Sequence, residues 1–400
     1  MSVSPATTAP SLDEFKAEAA AFLDRVAEPR TEAASSAGER QLSLFRGSTV
    51  ADADAARAWQ RTVFDAGFGW IDGPVEEGGR GLPSRYVGAY LQVERRYSTP
   101  QKSALGVSLG MVAPTLVQFG TAEAKGRWAE ALYRGDAIGC QLFSEPGAGS
   151  DLAAVATKAV RDSDGWVVDG QKVWTSGAHY SDVGLLLART STGPRHRNLT
   201  AFLVDMHAPG VEVRPLRQMT GGADFNEVFL DGVRIPDSHR LGEVDEGWGV
   251  AMATLMYERS AIGGGVGGGS GLFRMDTLAQ WLREIGRSED PLVRQAYARV
   301  HTGVSAAKTM RARAEAGVKA GRPPGPEMSL SKLALVANLA ALADLVSDAL
   351  GPRLVADTGA AETFGWTEYV LGTPGMRLGG GTDEVQRNII AKRVLGLPVK

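Results

Sequence analysis

The sequence predicts an α+β chain of three units: a helical unit over residues 1–136, a β-sheet unit over 137–242 and a second helical unit over 243–400. Two observations carry this expectation. The hydrophobic period lies near 3.6 up to about Asp136, drops to two between about Ala137 and Gly242, and returns to helical spacing from Gly247. The elements are also segregated, helices then strands then helices, which argues for separate layers and against alternating βαβ units. A chain of 400 residues is too long for one ordinary core, so two or three packed units are expected.

The elements follow in order. "LDEFKAEAAAFLDRVA", from Leu12, sets Phe15, Ala19, Phe22 and Val26 on one helical stripe, and "SRYVGAYLQVERRY" repeats the pattern. "GPVEEGGRGLPS", Gly73 to Ser84, reads as a turn-rich connection. "GWVVDGQKVWTS", "VGLLLART", "LTAFLVDM", "VEVRPL" and "NEVFLDGVRIP" read as strands, with tight turns expected at Asp162–Gly165 and at Asp231–Gly232. Helical spacing returns in "GWGVAMATLMYERSA", "PLVRQAYARVHTGVSAAKTMRARAEAG" and "SLSKLALVANLAALADLVSDAL". "GGGVGGGSG", Gly263 to Gly271, contains G-x-G-x-x-G but follows a helix where a dinucleotide site needs a strand. It reads instead as a flexible break or as helix glycines that let another backbone pack closely.

Composition excludes several classes. With 43 basic against 46 acidic residues and a formal net charge of -3, the chain has no basic field for nucleic acid and no lysine block for a membrane surface. Cys140 is the single cysteine, which leaves no internal disulfide framework and fits a reducing compartment. The five histidines, His179, His196, His207, His239 and His301, show no ligand spacing, so no metal site is expected. "MSVSPATTAPS" lacks the features of a signal peptide, and no apolar segment is expected to span a bilayer. The expected location is cytoplasmic.

Three distant stretches carry chemistry. "CQLFSEPGAGSDLAAVAT", Cys140 to Thr157, runs a strand end into a small-residue turn whose backbone N–H groups can meet a planar or anionic ligand; the plain alternative is an ordinary Gly/Pro loop. "GQKVWTSGAH" places Trp174 two residues before Ser176, so that an aromatic face and a hydroxyl share one side of a strand; taken alone, Trp174 reads first as a core residue. "MRLGGGTDEVQRNIIAKRVLGLP", Met376 to Pro398, runs Gly379–Gly381 through Thr382 and Glu384 into a helix.

Together these stretches resemble the flavin-dependent acyl-CoA dehydrogenase family. "GMVAPTLVQFGTAEAKGRW", "FSEPGAGSDLA", "GQKVWTSGA", "FNEVFLDGVRIP", "GEVDEGWGVAM" and "GGGTDEVQRNIIAKRVLGLP" occur in the family's order and approximate spacing, over nearly the whole chain. The resemblance implies an acyl-CoA dehydrogenase-like fold with a C-terminal four-helix bundle, FAD held between sheet and bundle, and an acyl-CoA thioester on the other flavin face. Carried over residue by residue, it implies that Phe143 and Ser144 line the flavin ring and that Gly149 and Ser150 lie at the phosphates. Trp174 would stack near the isoalloxazine with Ser176 at its N5 edge, Thr382 and Glu384 would touch the rest of FAD, and Arg259 would contact CoA. The acyl pocket is expected around Met252 to Tyr257 and near Leu109 and Met111.

Oxidation of a thioester to the trans-2-enoyl-CoA requires a base for a weakly acidic α-proton and donors for the developing enolate oxygen. Many family members carry that carboxylate in the C-terminal loop, where this chain has Gly380. A subset, including isovaleryl and long-chain acyl-CoA dehydrogenases, places it on a helix directly before the CoA-contacting arginine. That position is Glu258, which is therefore the expected base, with the Gly380 N–H as donor to the thioester oxygen. The plain alternative makes Glu258 a solvated residue or a partner of Arg259.

Two segments depart from the family pattern. "WLREIGRSEDPLVRQAY" lacks the usual Arg-x-x-Phe-Gly, and "DALGPRLVADTG" stands where Gln-x-Leu-Gly-Gly is usual. The expected assembly is accordingly a homodimer, a homotetramer, or a heterotetramer with a related subunit. An electron-transferring flavoprotein is the expected acceptor, within fatty acid metabolism. A family-like flavin monooxygenase, and a subunit active only with a partner, remain as alternatives.

Overall fold

The computed structural model describes residues 9–30, 48–263, 274–319, 325, 327–356 and 361–398. Helix α1 (Leu12–Val26) starts at a capping box in which Ser11 and Glu14 satisfy each other's backbone N–H groups. It buries Phe15, Ala19, Phe22 and Leu23. Val26, expected on this stripe, is instead 40% exposed: Leu23 takes the last core position, and the chain leaves the helix at the extended Ala27 toward strand β1 (Glu28–Pro29). Helices α2 (Val50–Asp65) and α3 (Arg85–Glu94) complete an aromatic core in which Phe15 meets Phe68 and Tyr86 edge-on at 5.6 and 5.0 Å. Strand β2 (Tyr97–Ser98) pairs with β1. A π-helical turn, Ser108–Val112, runs directly into α4 (Ala113–Phe119). Helix α5 (Ala122–Arg134) closes the layer between the Thr121 cap and the left-handed Gly135.

The middle layer is one eight-stranded sheet. Its strands are β3 (Gly139–Leu142), β4 (Lys158–Asp162), β5 (Gly165–Ser176), β6 (Val183–Arg189), β7 (Leu199–Asp205), β8 (Val211–Leu216), β9 (Phe225–Pro236) and β10 (Arg240–Leu241). The order is β10-β7-β6-β4-β5-β9-β8, with β3 pairing parallel to β6. The β4–β5 hairpin turns at Asp162–Gly165 as the sequence indicates. Asp231–Gly232 corrects the expectation of a tight turn there. β9 continues through it, and the register moves from Val168↔Val233 to Gly170↔Leu230. The extra residue is a β-bulge, made possible by the left-handed Gly232 at φ 59°.

The C-terminal layer is helical: α6 (Gly247–Gly263), α7 (Met275–Glu284), α8 (Pro291–Lys319), α9 (Glu327–Leu350), α10 (Ala361–Gly372) and α11 (Asp383–Arg393). The glycine-rich run beyond Gly263 lies outside the described residues. Leu278, Trp281, Val300, Leu342, Trp366 and Tyr369 belong to the core of the C-terminal layer. One expectation is corrected here, since the 27-residue stretch Ser329–Val355 is long and apolar enough to cross a bilayer. About half of its most apolar part is buried inside the fold, and Leu339, Leu342, Leu345 and Val346 pack into the helical core. Its apolarity is that of a central bundle helix, hydrophobic around most of its circumference.

Candidate active site

The loop after β3 is fixed by one buried ion pair. Lys172 on β5 is fully buried and donates from Nζ to Leu187 O at 2.7 Å, Glu145 Oε1 at 2.8 Å and Phe143 O at 3.1 Å. Glu145 also accepts from the Ala156 and Thr157 N–H groups. Burial pushes the Glu145 carboxyl upward, but the Lys172 charge and these hydrogen bonds outweigh it and hold it below its usual range. Burial lowers the Lys172 ammonium to about 8, and Glu145 offsets part of that. Ser144 O accepts from Val173 N at 2.9 Å, so Phe143 and Ser144 are tied to β5 by adjacent residues. Phe143 is buried, Ser144 half-buried, and Gly149 and Ser150 lie exposed further along the loop.

Trp174 is not a core residue. The β5–β9 register moves from Lys172↔Val228 to Thr175↔Asn226, a bulge that leaves Trp174 at φ 62° and 61% exposed. A left-handed conformation at a bulky residue is strained. Its ring touches Phe225 edge-on at 6.0 Å, and Ser176 is exposed on the same side of the strand.

At the other end of the chain, Gly380 and Gly381 have φ 68° and 87°, conformations that favour glycine. A Cβ on Gly381 would also lie 2.8 Å from Gln386 Nε2. The Gln386 side chain, 1% exposed, donates to Gly380 O at 2.8 Å. Asp383, 5% exposed, accepts from Lys332 Nζ and from Arg377 Nε, both at 2.9 Å. Burial works against its charge, and these two cations outweigh it and lower the carboxyl. Thr382 caps α11 by accepting from Val385 N at 3.3 Å. Glu384 is exposed, and its carboxyl is held low by its own backbone N–H and by the Thr382 hydroxyl.

Helix α6 is joined to the N-terminal layer through polar contacts. The Thr254 hydroxyl lies 3.0 Å from that of Thr115, which donates to Met111 O at 2.7 Å. Tyr257 donates to Gln118 at 2.7 Å. Glu258 is half-buried, one turn beyond the fully buried Thr254 and so on the same helix face. Met111, on the π-helical turn, belongs to the same seam, an irregularity that recurs at functional sites. The side chain of Arg259 lies outside the described residues.

The structure thus brings Phe143, Ser144, Trp174 and Ser176 to one end of β5, and Met111, Tyr257 and Glu258 to the α4–α6 seam. The Gly380 loop is anchored separately, on α9 through Lys332. Lys172, Glu145, Gln386 and Asp383 were missed by sequence reasoning. Lys172 stands in β5 beside other polar residues, Asp169, Gln171 and Thr175, so nothing in the local sequence marks it as buried.

Asp224, before β9, adds a titration. Its backbone carbonyl accepts from Gly177 N at 3.1 Å, while both carboxylate oxygens are buried without a hydrogen-bond partner among the described residues. Burial raises this carboxyl to about 6; Gln218 opposes the rise and the Glu368 charge adds to it. A folded-state value above the unfolded one contributes stability that is full below about 4 and is lost as pH rises through about 6. Asp224→Asn is expected to raise the thermal midpoint at pH 7.5 and to flatten the native protein's loss of midpoint between pH 4.5 and 6.5. An equal midpoint difference at all pH values would contradict this.

Residues 10–136, 140–233 and 245–395 match the N-terminal, middle and C-terminal domains of acyl-CoA dehydrogenase. The chain is 40% identical over 349 residues to Acyl-CoA dehydrogenase IpdE1 of Mycobacterium tuberculosis, covering 86% of this chain and 88% of that protein. The chain belongs to the acyl-CoA dehydrogenase family. Among solved structures this family member is similar to the Tcur3481-Tcur3483 steroid ACAD, with TM-score 0.77, 26% identity and coverage of 98% and 99% of the two chains. It is also similar to the ChsE4-ChsE5 complex from Mycobacterium tuberculosis, with TM-score 0.73, 25% identity and full coverage of both chains.

As a member of the acyl-CoA dehydrogenase family the protein is an FAD-dependent oxidoreductase. The residues present fit that cofactor. A large aromatic held in the open in a strained conformation suits a planar ring partner, and positions 147 and 149 have open space where a Cβ would stand.

Proposed function

We propose that this acyl-CoA dehydrogenase oxidises an acyl-CoA thioester to the trans-2-enoyl-CoA with Glu258 as the base. The reading is carried by the placement of Glu258, half-buried on the α6 face that Thr254 docks against α4, in a chain with a left-handed glycine at 380. Phe143, Ser144, Trp174 and Ser176 would hold the isoalloxazine, Gly149 and Ser150 the phosphates, and Thr382 and Glu384 the remainder of FAD. When bound, FAD supplies the hydride acceptor for the β-hydrogen. Glu258 takes the α-proton, and the Gly380 N–H donates to the thioester oxygen as charge develops there. Tyr257 and Met111 line the acyl chain and Arg259 contacts CoA. Electrons then pass to an electron-transferring flavoprotein.

The acyl group is bulky or ring-bearing in this proposal, which similarity to a steroid ACAD supports. A second reading is assembly with a related subunit. The absent Arg-x-x-Phe-Gly segment and the similarity to the ChsE4-ChsE5 complex favour it.

The test mixes the FAD-loaded protein anaerobically with straight, branched and ring-bearing acyl-CoAs and follows the oxidised-flavin band. Bleaching by ring-bearing thioesters is expected. Bleaching by straight chains alone would overturn the substrate class. No bleaching by any thioester, together with oxygen consumption in the presence of a reductant, would replace the dehydrogenase with a monooxygenase. Bleaching that requires a co-purified related chain would establish the second reading.

A further inference from the structure

We propose that Lys172 is a positioning residue for the flavin site: paired with Glu145, it locks the bulge that presents Trp174. The inference rests on reading Trp174 as the residue that stacks on the flavin.

In a regular strand, side chains two apart share a face, so Lys172 and Trp174 would point the same way. They do not, since Lys172 is fully buried and Trp174 is 61% exposed. The register shift between Lys172 and Thr175 separates them, and within the shifted stretch the Val173 N–H donates to Ser144 O. An ammonium has three protons, and here two reach the flavin loop, at Phe143 O and at the Glu145 carboxylate, while the third reaches β6 at Leu187 O. A slip of β5 that relaxed the bulge would move Lys172 off all three acceptors inside the sheet, where unpaired polar groups are costly. The strained φ of Trp174 is therefore held from the residue two positions before it. One lysine sets both the flavin loop and the aromatic that faces it.

An indole stacked on a flavin quenches the flavin's fluorescence, which gives a readout distinct from activity and from folding. The native protein, Lys172→Met, Trp174→Phe and the double Lys172→Met/Trp174→Phe are loaded with FAD, and the fluorescence of the bound flavin alone is measured. Lys172→Met is expected to raise it several-fold, Trp174→Phe to raise it comparably, and the double variant to show no further gain, because both changes remove the same contact. Bound flavin as strongly quenched in Lys172→Met as in the native protein would overturn the positioning role and leave Lys172 a fold-stabilising residue. No gain in Trp174→Phe would instead overturn the stacking reading itself, and the inference with it. Additive gains would show Lys172 acting elsewhere, against the proposal. Because Lys172→Met leaves a buried carboxylate and can fail to fold, Glu145→Gln/Lys172→Met is run in parallel. It removes both charges, and the same fluorescence gain is expected.

Discussion

Replacing Glu258 with glutamine should slow anaerobic bleaching of the flavin by a good acyl-CoA substrate by about 10²–10⁴-fold, the range that a positioned general base contributes. Glutamine keeps the length and shape of the side chain and removes only its ability to accept a proton. FAD content and thermal midpoint should therefore stay near native, and the loss should fall on the rate at saturating substrate more than on the substrate concentration needed. The assignment would fail if Glu258→Gln bleached at the native rate. A carboxylate placed on the loop at position 380 would carry a backbone cost. At Gly380 the backbone is left-handed, with φ 68°, so Gly380→Glu adds strain of about 1–2 kcal/mol at that residue before any chemistry is gained. A Glu258→Gln/Gly380→Glu double variant is expected to remain far below native activity.

Lys172→Met should produce the largest loss of stability. Truncating one member of a buried ion pair costs about 3–5 kcal/mol, because the remaining charge stays in the interior without its counterion. Glu145 would keep two backbone N–H donors and lose its ammonium. Phe143 O and Leu187 O would each lose the donor that Lys172 provides. Removing both charges in Glu145→Gln/Lys172→Met is less costly, since an uncharged pair of similar volume carries no unpaired ion. Urea unfolding followed by far-ultraviolet circular dichroism should place the double variant between Lys172→Met and the native protein. A double variant less stable than Lys172→Met would contradict this account.

The layer order was legible because the hydrophobic period changes where the layers change, and β5 (Gly165–Ser176) could be read end to end. Register was not legible. Asp231–Gly232 has the composition of a turn, yet sheet pairing carries the strand through it as a bulge. The bulge at Val173–Trp174 has no compositional mark, and it depends on Ser144 O, a group about thirty positions away in sequence. The same limit applies to the site. Motif spacing offers Glu258 and Gly380 as candidates for the proposed chemistry. The supports around them, Gln386 on the Gly380 carbonyl and Lys332 on Asp383, depend on which side chains the fold buries together.

The most direct test of the central claim, α-proton removal coupled to β-hydrogen loss, uses an accepted acyl-CoA deuterated separately at the α and β carbons. Under anaerobic single turnover, either label should slow flavin bleaching, and the recovered trans-2-enoyl-CoA should lack one deuterium from the labelled carbon. Bleaching at an unchanged rate with the α-label, or a recovered thioester that keeps all its hydrogens, would contradict the account.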